Sequence, residues 1–210
     1  MKIKTIVVGE YQANCFVVTG NGNGTIVIDP GANPELISSF LSSEKLHVSS
    51  YFLTHGHYDH ISALSILLED FPAPVRIHSD DLKWAFSEKN SMPPFYPAIT
   101  KPEKIQELVP DQNISENDVS LKIIHTPGHT PGCVSILCEN AKMIFTGDTL
   151  FAGSVGRTDL PGGNPRALQE SLKTLSKLPR ETIVYTGHGP STTIAMEMET
   201  NYFMQRLSIL

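Results

Sequence analysis

Cysteine is scarce in this 210-residue chain: Cys15, Cys133 and Cys138 are too few, and odd in number, for a disulfide framework, and they suit a reducing compartment. No segment comes near the roughly 20 consecutive apolar residues that span a bilayer. The opening MKIKTIVVGEYQANCF carries two lysines and a short apolar run, but Gly9, Glu10, Gln12 and Asn14 interrupt it before it reaches the length of a signal core. A cytoplasmic location is expected, with no membrane partner. Basic character is missing too. Sixteen Lys and Arg face 22 Asp and Glu, a formal charge of −6, which leaves no electrostatic footprint for a nucleic acid. No low-complexity tract or fixed-period repeat occurs. With 40% hydrophobic and 18% charged residues the chain has the balance of a globular protein, and its length fits one domain over residues 1–210.

Apolar, β-branched runs bounded by turn residues predict strands at Ile3–Val8, Cys15–Thr19, Thr25–Asp29, Val48–Thr54 and Val75–His78. The same rhythm resumes at Val119–His125, Cys133–Cys138, Met143–Thr146 and Thr182–Thr186. Helical spacing is expected from Asn33 or Pro34 to Lys45, onward from Ile61 through Leu64, Leu67 and Leu68, and over Asp80–Phe86 with Trp84 on the apolar side. Arg166–Lys177 and Ile194–Leu207 complete the helices, and the prolines of Ser91–Pro97 read as a stiff loop. Strands and helices in both halves suggest two packed sheets with helices outside, and periodicity leaves α/β and α+β both open.

The abundant residue is histidine, eight in all. Three of them stand in the six positions of His55-Gly56-His57-Tyr58-Asp59-His60. Histidines at i and i+2 of an extended chain point the same way and can reach one cation, while Asp59 and His60, at the turn into a helix, can reach a second. Imidazole with carboxylate suits zinc first, with iron or manganese as alternatives. A helix cap would explain Asp59 but not the three histidines. Three later knots, each placed after a predicted strand, supply further ligands: His125-Thr126-Pro127-Gly128-His129, Gly147-Asp148-Thr149-Leu150 and Gly187-His188-Gly189-Pro190. Strand ends converging on one edge of a sandwich make a natural metal cleft.

These motifs, in this order, resemble the metallo-β-lactamase fold superfamily. The segments Thr126–Gly132, Phe145–Phe151 and Gly156-Arg157-Thr158-Asp159 are similar to the glyoxalase II group, the hydroxyacylglutathione hydrolases, in its short bacterial form. The resemblance runs from Asn14-Cys15 to Gly189-Pro190 and implies an α/β fold, the four-layer αββα sandwich. It implies two divalent metal ions, one on His55, His57 and His129, the other on Asp59, His60 and His188, with Asp148 and a water between them. Asp59 would also act in catalysis, orienting the attacking water or accepting its proton. His125 stays outside the ligand set as a wall residue, and His47 and His78 match no part of the motif.

The activity so implied is hydrolysis of a small thioester such as S-lactoylglutathione, with no nucleic-acid or membrane partner. A thioester suits the site because a thiolate leaves without a strong general acid. Arg206 is the one basic residue after Gly189-Pro190, so glutathione is expected to be held weakly. The alternative is an iron-dependent persulfide dioxygenase of the same fold, using a histidine of the first motif with His129 and Asp148. Asp29, at a strand end near the same edge, is read as either a residue orienting a ligand or a turn-former. Arg157 with Asp159 is read as an ion pair.

Overall fold

The computed structural model describes residues 1–207, and its architecture follows from how strand side chains divide between two faces. The first sheet holds β1 (Lys2–Val8), β2 (Ala13–Thr19), β3 (Gly24–Ile28), β4 (His47–Phe52), β5 (Val75–Ile77) and β6 (Ile105–Glu107), in that order. β1 to β3 pair antiparallel and β3 to β6 parallel. Next along the chain come β7 (Asn113–Glu116), β8 (Val119–His125), β9 (Val134–Cys138) and β10 (Met143–Gly147), the hairpin strands β11 (Leu150–Phe151) and β12 (Ser154–Val155), then β13 (Ile183–Thr186) and β14 (Thr192–Thr193). The second sheet runs β14-β13-β10-β9-β8-β7, with β10 and β13 parallel.

Alternation along the strands sorts the core into three interfaces, which is what a four-layer αββα sandwich requires. On β2, Phe16 and Val18 face the second sheet and meet Ile123, Ile136 and Phe145, whereas Cys15 and Val17 face outward. That outer face is covered by Ile37 and Leu41 of α1 (Pro34–Ser43) and, beyond the short α2 (Tyr58–Ile61), by Leu64 and Leu67 of α3 (Leu64–Asp70). After the single-turn α4 (Ser79–Leu82), the outer face of the second sheet is covered by Leu168, Leu172 and Leu175 of α5 (Pro165–Leu175). Ile194 of α6 (Ile194–Thr200) and Met204 of α7 (Tyr202–Gln205) complete that cover. Both faces of the central strands are buried, so β2 is apolar almost continuously. All three cysteines are free and buried, as core residues rather than staples. Among the described residues no helix is long and apolar enough to cross a membrane.

Two expected helices are broken, each by a diverted hydrogen bond. The helix expected to run on from Ile61 divides at Ser62-Ala63, where the Ala63 amide donates to the Pro30 carbonyl. The helix expected over Ile194–Leu207 divides at Asn201, which is extended; its side chain accepts from the Phe203 amide and so starts α7 anew. Trp84 lies beyond α4 rather than on a helix face, with its ring 5.3 Å from that of His57.

At one end the two sheets are tied together. The Asn14 amide donates to the Gly187 carbonyl at 2.7 Å, and the Val134 amide donates to the Thr54 carbonyl at 2.8 Å. The segments after β4, β8, β10 and β13 all emerge there.

Candidate metal centre

The histidine motif begins three residues beyond β4. His55 and His57 lie in the loop, and His57 is the N-cap of α2, so Asp59 and His60 fall in the first helical turn. His129 comes from the loop between β8 and β9, Asp148 from the turn after β10, and His188 from the turn after β13. The turn before Asp148 needs a glycine. Gly147 has φ +48°, and a Cβ there would stand 2.2 Å from Thr54 Oγ1.

The chain brings all seven predicted residues into one cluster. His55, His57 and His129 form one group with nitrogens close enough to share an ion, and Asp59, His60 and His188 form another. His57 Nδ1 lies 2.9 Å from His129 Nε2, and His60 Nε2 lies 3.2 Å from His188 Nε2. Asp148 stands between the groups, with Oδ2 3.4 Å from His129 Nε2 and 3.5 Å from His188 Nε2, and Oδ1 3.4 Å from His60 Nε2. Asp59 Oδ2 is 3.4 Å from His188 Nε2.

Outside the cluster, four of the five rings have their second nitrogen held by an oxygen. His129 Nδ1 meets the Arg157 carbonyl at 2.8 Å, His188 Nδ1 the Tyr11 carbonyl at 2.9 Å, His60 Nδ1 the Asp29 carboxylate at 3.0 Å, and His55 Nδ1 the Thr54 hydroxyl at 3.1 Å. Carbonyl and carboxylate oxygens can only accept, so for His129, His188 and His60 the proton belongs on Nδ1 and Nε2 is turned inward. Among the described residues His55 Nε2 and Asp148 Oδ1 are buried with no hydrogen-bond partner. Stranded buried polar atoms are costly, and here they adjoin facing imidazole nitrogens. Divalent cations answer both features, so the residues present fit metal ions.

The charge state agrees. Burial disfavours charge on His60 and His188, but the surrounding carboxylates outweigh it and raise them to about 9 and about 10. Burial pushes His55 well down, and burial with His129 pushes His57 down to about 4. Burial also works against the Asp148 carboxylate, yet His60 and His188 hold its pKa well below the usual range. Two carboxylates in the cluster are thus balanced by protons on two histidines, the positions a cation would take over.

Asp29 orients His60, a candidate ligand, rather than merely forming a turn. It is fully buried, accepts from the Thr54 amide at 2.7 Å and the Thr54 hydroxyl at 2.6 Å, and meets His60 Nδ1. His125 stays out of the cluster: its Nε2 meets the Pro131 carbonyl at 2.9 Å and its ring stacks on His78. Arg157 and Asp159 form an exposed two-point ion pair at 2.6 and 2.8 Å. Tyr58 joins Tyr11 and Tyr96 in an aromatic wall, while Phe95 is exposed. Beside Arg157 lies a groove of about 520 Å³, lined by Arg157, Leu168, Leu172, Tyr202, Phe203 and Arg206 among others and by none of the seven cluster residues. Sequence reasoning missed the carbonyls of Tyr11 and Arg157, which carry no side-chain signal, and Thr54, whose only signal is its place before His55.

The family described as the Metallo-beta-lactamase superfamily matches residues 8–188. The chain is 33% identical to the hydroxyacylglutathione hydrolase GloC of Haemophilus influenzae, over 99% of this chain and 100% of that one. A solved structure, the BLEG-1 B3 metallo-beta-lactamase, superposes with a TM-score of 0.90 at 34% identity, covering 97% of this chain and 99% of its own. TTHA1623, solved in a di-iron-bound form, superposes with a TM-score of 0.87 at 36% identity, covering 95% and 99%.

Proposed function

Because the chain belongs to the metallo-β-lactamase superfamily, we propose that it is a dinuclear metal-dependent hydrolase of small thioesters, related in activity to glyoxalase II. The observation that carries this reading is the pair of adjoining ligand sets with Asp148 between them, left with stranded atoms at His55 Nε2 and Asp148 Oδ1. His55, His57 and His129 would hold one cation and Asp59, His60 and His188 the other, zinc being the first candidate and iron the second. Bound there, divalent ions supply a Lewis acid for a carbonyl oxygen and bring the pKa of water toward neutrality.

The chain's own residues supply the rest. Asp59, nearly buried and held ionised by His60 and His188 against the cost of its burial, orients the attacking water and takes its proton. Asp29 and the carbonyls of Tyr11 and Arg157 keep the rings turned inward, so the donors are arranged before substrate arrives. The Tyr58 hydroxyl is a poor acid for a leaving group: it faces Met92, and burial with Tyr11 raises its pKa. That favours a leaving thiolate. The groove beside Arg157 would take the thiol carrier; its two cationic lining residues among those described are Arg157, already paired to Asp159, and Arg206, which lies over the Tyr202 ring, so a polyanionic carrier such as glutathione is gripped weakly.

The alternative, an iron-dependent persulfide dioxygenase on His57 or His55 with His129 and Asp148, leaves Asp59, His60 and His188 without a task although they are as closely built. Initial rates on protein of measured metal content, with S-lactoylglutathione, glutathione persulfide and a chromogenic β-lactam, decide between them. Thioester cleavage should yield thiol and acid in equal amount, at the same rate under argon and in air. Inert thioesters together with persulfide-driven oxygen uptake on the iron-loaded protein would establish the dioxygenase, and turnover of the β-lactam alone would establish a lactamase.

A further inference from the structure

One buried carboxylate outside the cluster reaches both loops of a single ligand set. Asp81 lies on α4, is fully buried, and has no cationic partner within ion-pair distance among the described residues. Its Oδ2 accepts from the Gly56 amide at 2.8 Å and from the Thr130 hydroxyl at 2.6 Å, and its Oδ1 accepts from the Gly132 amide at 2.7 Å. Gly56 stands between His55 and His57, and Thr130 follows His129. The first loop leaves the first sheet after β4 and the second joins β8 to β9 of the other sheet, so the carboxylate spans the seam between sheets. A buried charge is costly unless its hydrogen bonds are complete, and here three donors from the two loops complete them. Close approach is built in: a Cβ on Gly132 would stand 2.6 Å from Asp81 Oδ1.

The second set is held differently. His60 rests on Asp29 and His188 on the Tyr11 carbonyl, and no hydrogen bond links Asp81 to either among the described residues.

We propose that Asp81 is the positioning residue of the His55–His57–His129 metal position, and of that position alone, setting the separation of the two loops that carry it. This rests on the two-metal reading above. Asp81→Asn keeps the volume, but an amide offers one acceptor oxygen where the carboxylate offers two. Either the Gly56 or the Gly132 amide must then face an NH2 group, and the loops can part.

The test is a zinc titration of the chelated full-length protein against a competing chromophoric chelator, with cobalt spectra alongside. Wild type should take up two ions. Asp81→Asn should keep one at wild-type affinity and bind the other roughly 10- to 100-fold more weakly, the scale usual for groups supporting metal ligands. In a His188→Ala background, where the first set alone is intact, the same weakening should appear in the one remaining ion. Thr130→Val, which removes one of the three donors, should give a smaller loss at the same position, and Thr130→Ser should restore it. Asp80→Asn, a change at the exposed neighbour, should alter neither ion; Thr130→Val carries the test if Asp81→Asn does not fold. Equal weakening of both ions, or two ions held as in wild type, overturns the inference. A wild-type protein that binds one ion overturns the two-metal reading instead, and Asp81→Asn holding that ion undiminished then overturns the inference as well.

Discussion

Replacing Asp29 by asparagine or by alanine should separate holding a ligand from holding the fold. Its carboxylate takes three donors, the Thr54 amide, the Thr54 hydroxyl and His60 Nδ1. In Asp29→Asn the oxygen can keep the Thr54 amide, and the NH2 group then faces the Thr54 hydroxyl and His60. The hydroxyl can turn and accept. His60 can accept as well once it gives up its Nδ1 proton and keeps the one on Nε2, which already points at the Asp148 carboxylate 3.4 Å away; losing the Asp29 carboxylate, one of the groups that raise its pKa, eases that loss. The chelated protein then keeps its donors facing acceptors, at the cost of one proton, and should lose about 1–2 kcal/mol. Metal binding requires the opposite tautomer, with Nε2 bare and Nδ1–H driven against the amide NH2. One stranded donor costs about 1–3 kcal/mol, and at about 1.4 kcal/mol per tenfold that weakens binding roughly 5- to 150-fold.

Asp29→Ala removes both oxygens that serve the three donors. The Thr54 hydroxyl can turn to His55 Nδ1, 3.1 Å away, with the His55 proton moved to Nε2, which leaves two buried donors stranded. Position 29 also has φ +52°, where alanine is strained by about 1 kcal/mol. A loss of about 3–7 kcal/mol follows, a large part of the roughly 5–15 kcal/mol of a typical domain. Urea unfolding in chelator reads the stability and chelator-competed zinc titration reads the affinity. If Asp29→Asn binds metal as wild type does, or if Asp29→Ala unfolds at the wild-type midpoint, the reasoning about the proton on His60 is wrong.

Two further outcomes are expected. Asp148→Ala should lower bound metal and activity together, because Asp148 adjoins both sets, whereas His125→Ala should leave metal content nearly unchanged; equal losses by elemental analysis would mean the wrong histidine of the His125–His129 segment has been assigned. Metal uptake at pH 7 should release about two protons, since His60 and His188, at about 9 and about 10, are charged in the metal-free protein while His55 and His57 are not. Apparent affinity should therefore rise from pH 6 to pH 8, and calorimetry in buffers of differing ionisation enthalpy that finds no proton release would refute this charge assignment.

The order of the candidate ligands and the central strands were legible in the chain because both are local. Four polar knots each follow an apolar run; the run that became β8 has a buried face that repeats every second residue, and those that became β2, β9 and β10, buried on almost every side chain, are near-continuous apolar stretches. β6, β7, β11, β12 and β14 were not legible: two to four residues are too short to show a period, and β6 and β7 lie at sheet edges where half the side chains meet water. The breaks at Ala63 and Asn201 escaped because each residue is bonded to a distant one, Ala63 to the Pro30 carbonyl and Asn201 to the Ser154 carbonyl. Asp29 could be narrowed to two roles and no further. Asp81, beside Asp80 in an acidic turn, looks like a solvated residue until the sheets close over it. A sequence states which side chains can bind a cation; which way an imidazole faces depends on an oxygen that can lie far along the chain, as the Tyr11 carbonyl does for His188, and only packing the two sheets together brings that oxygen within 2.9 Å.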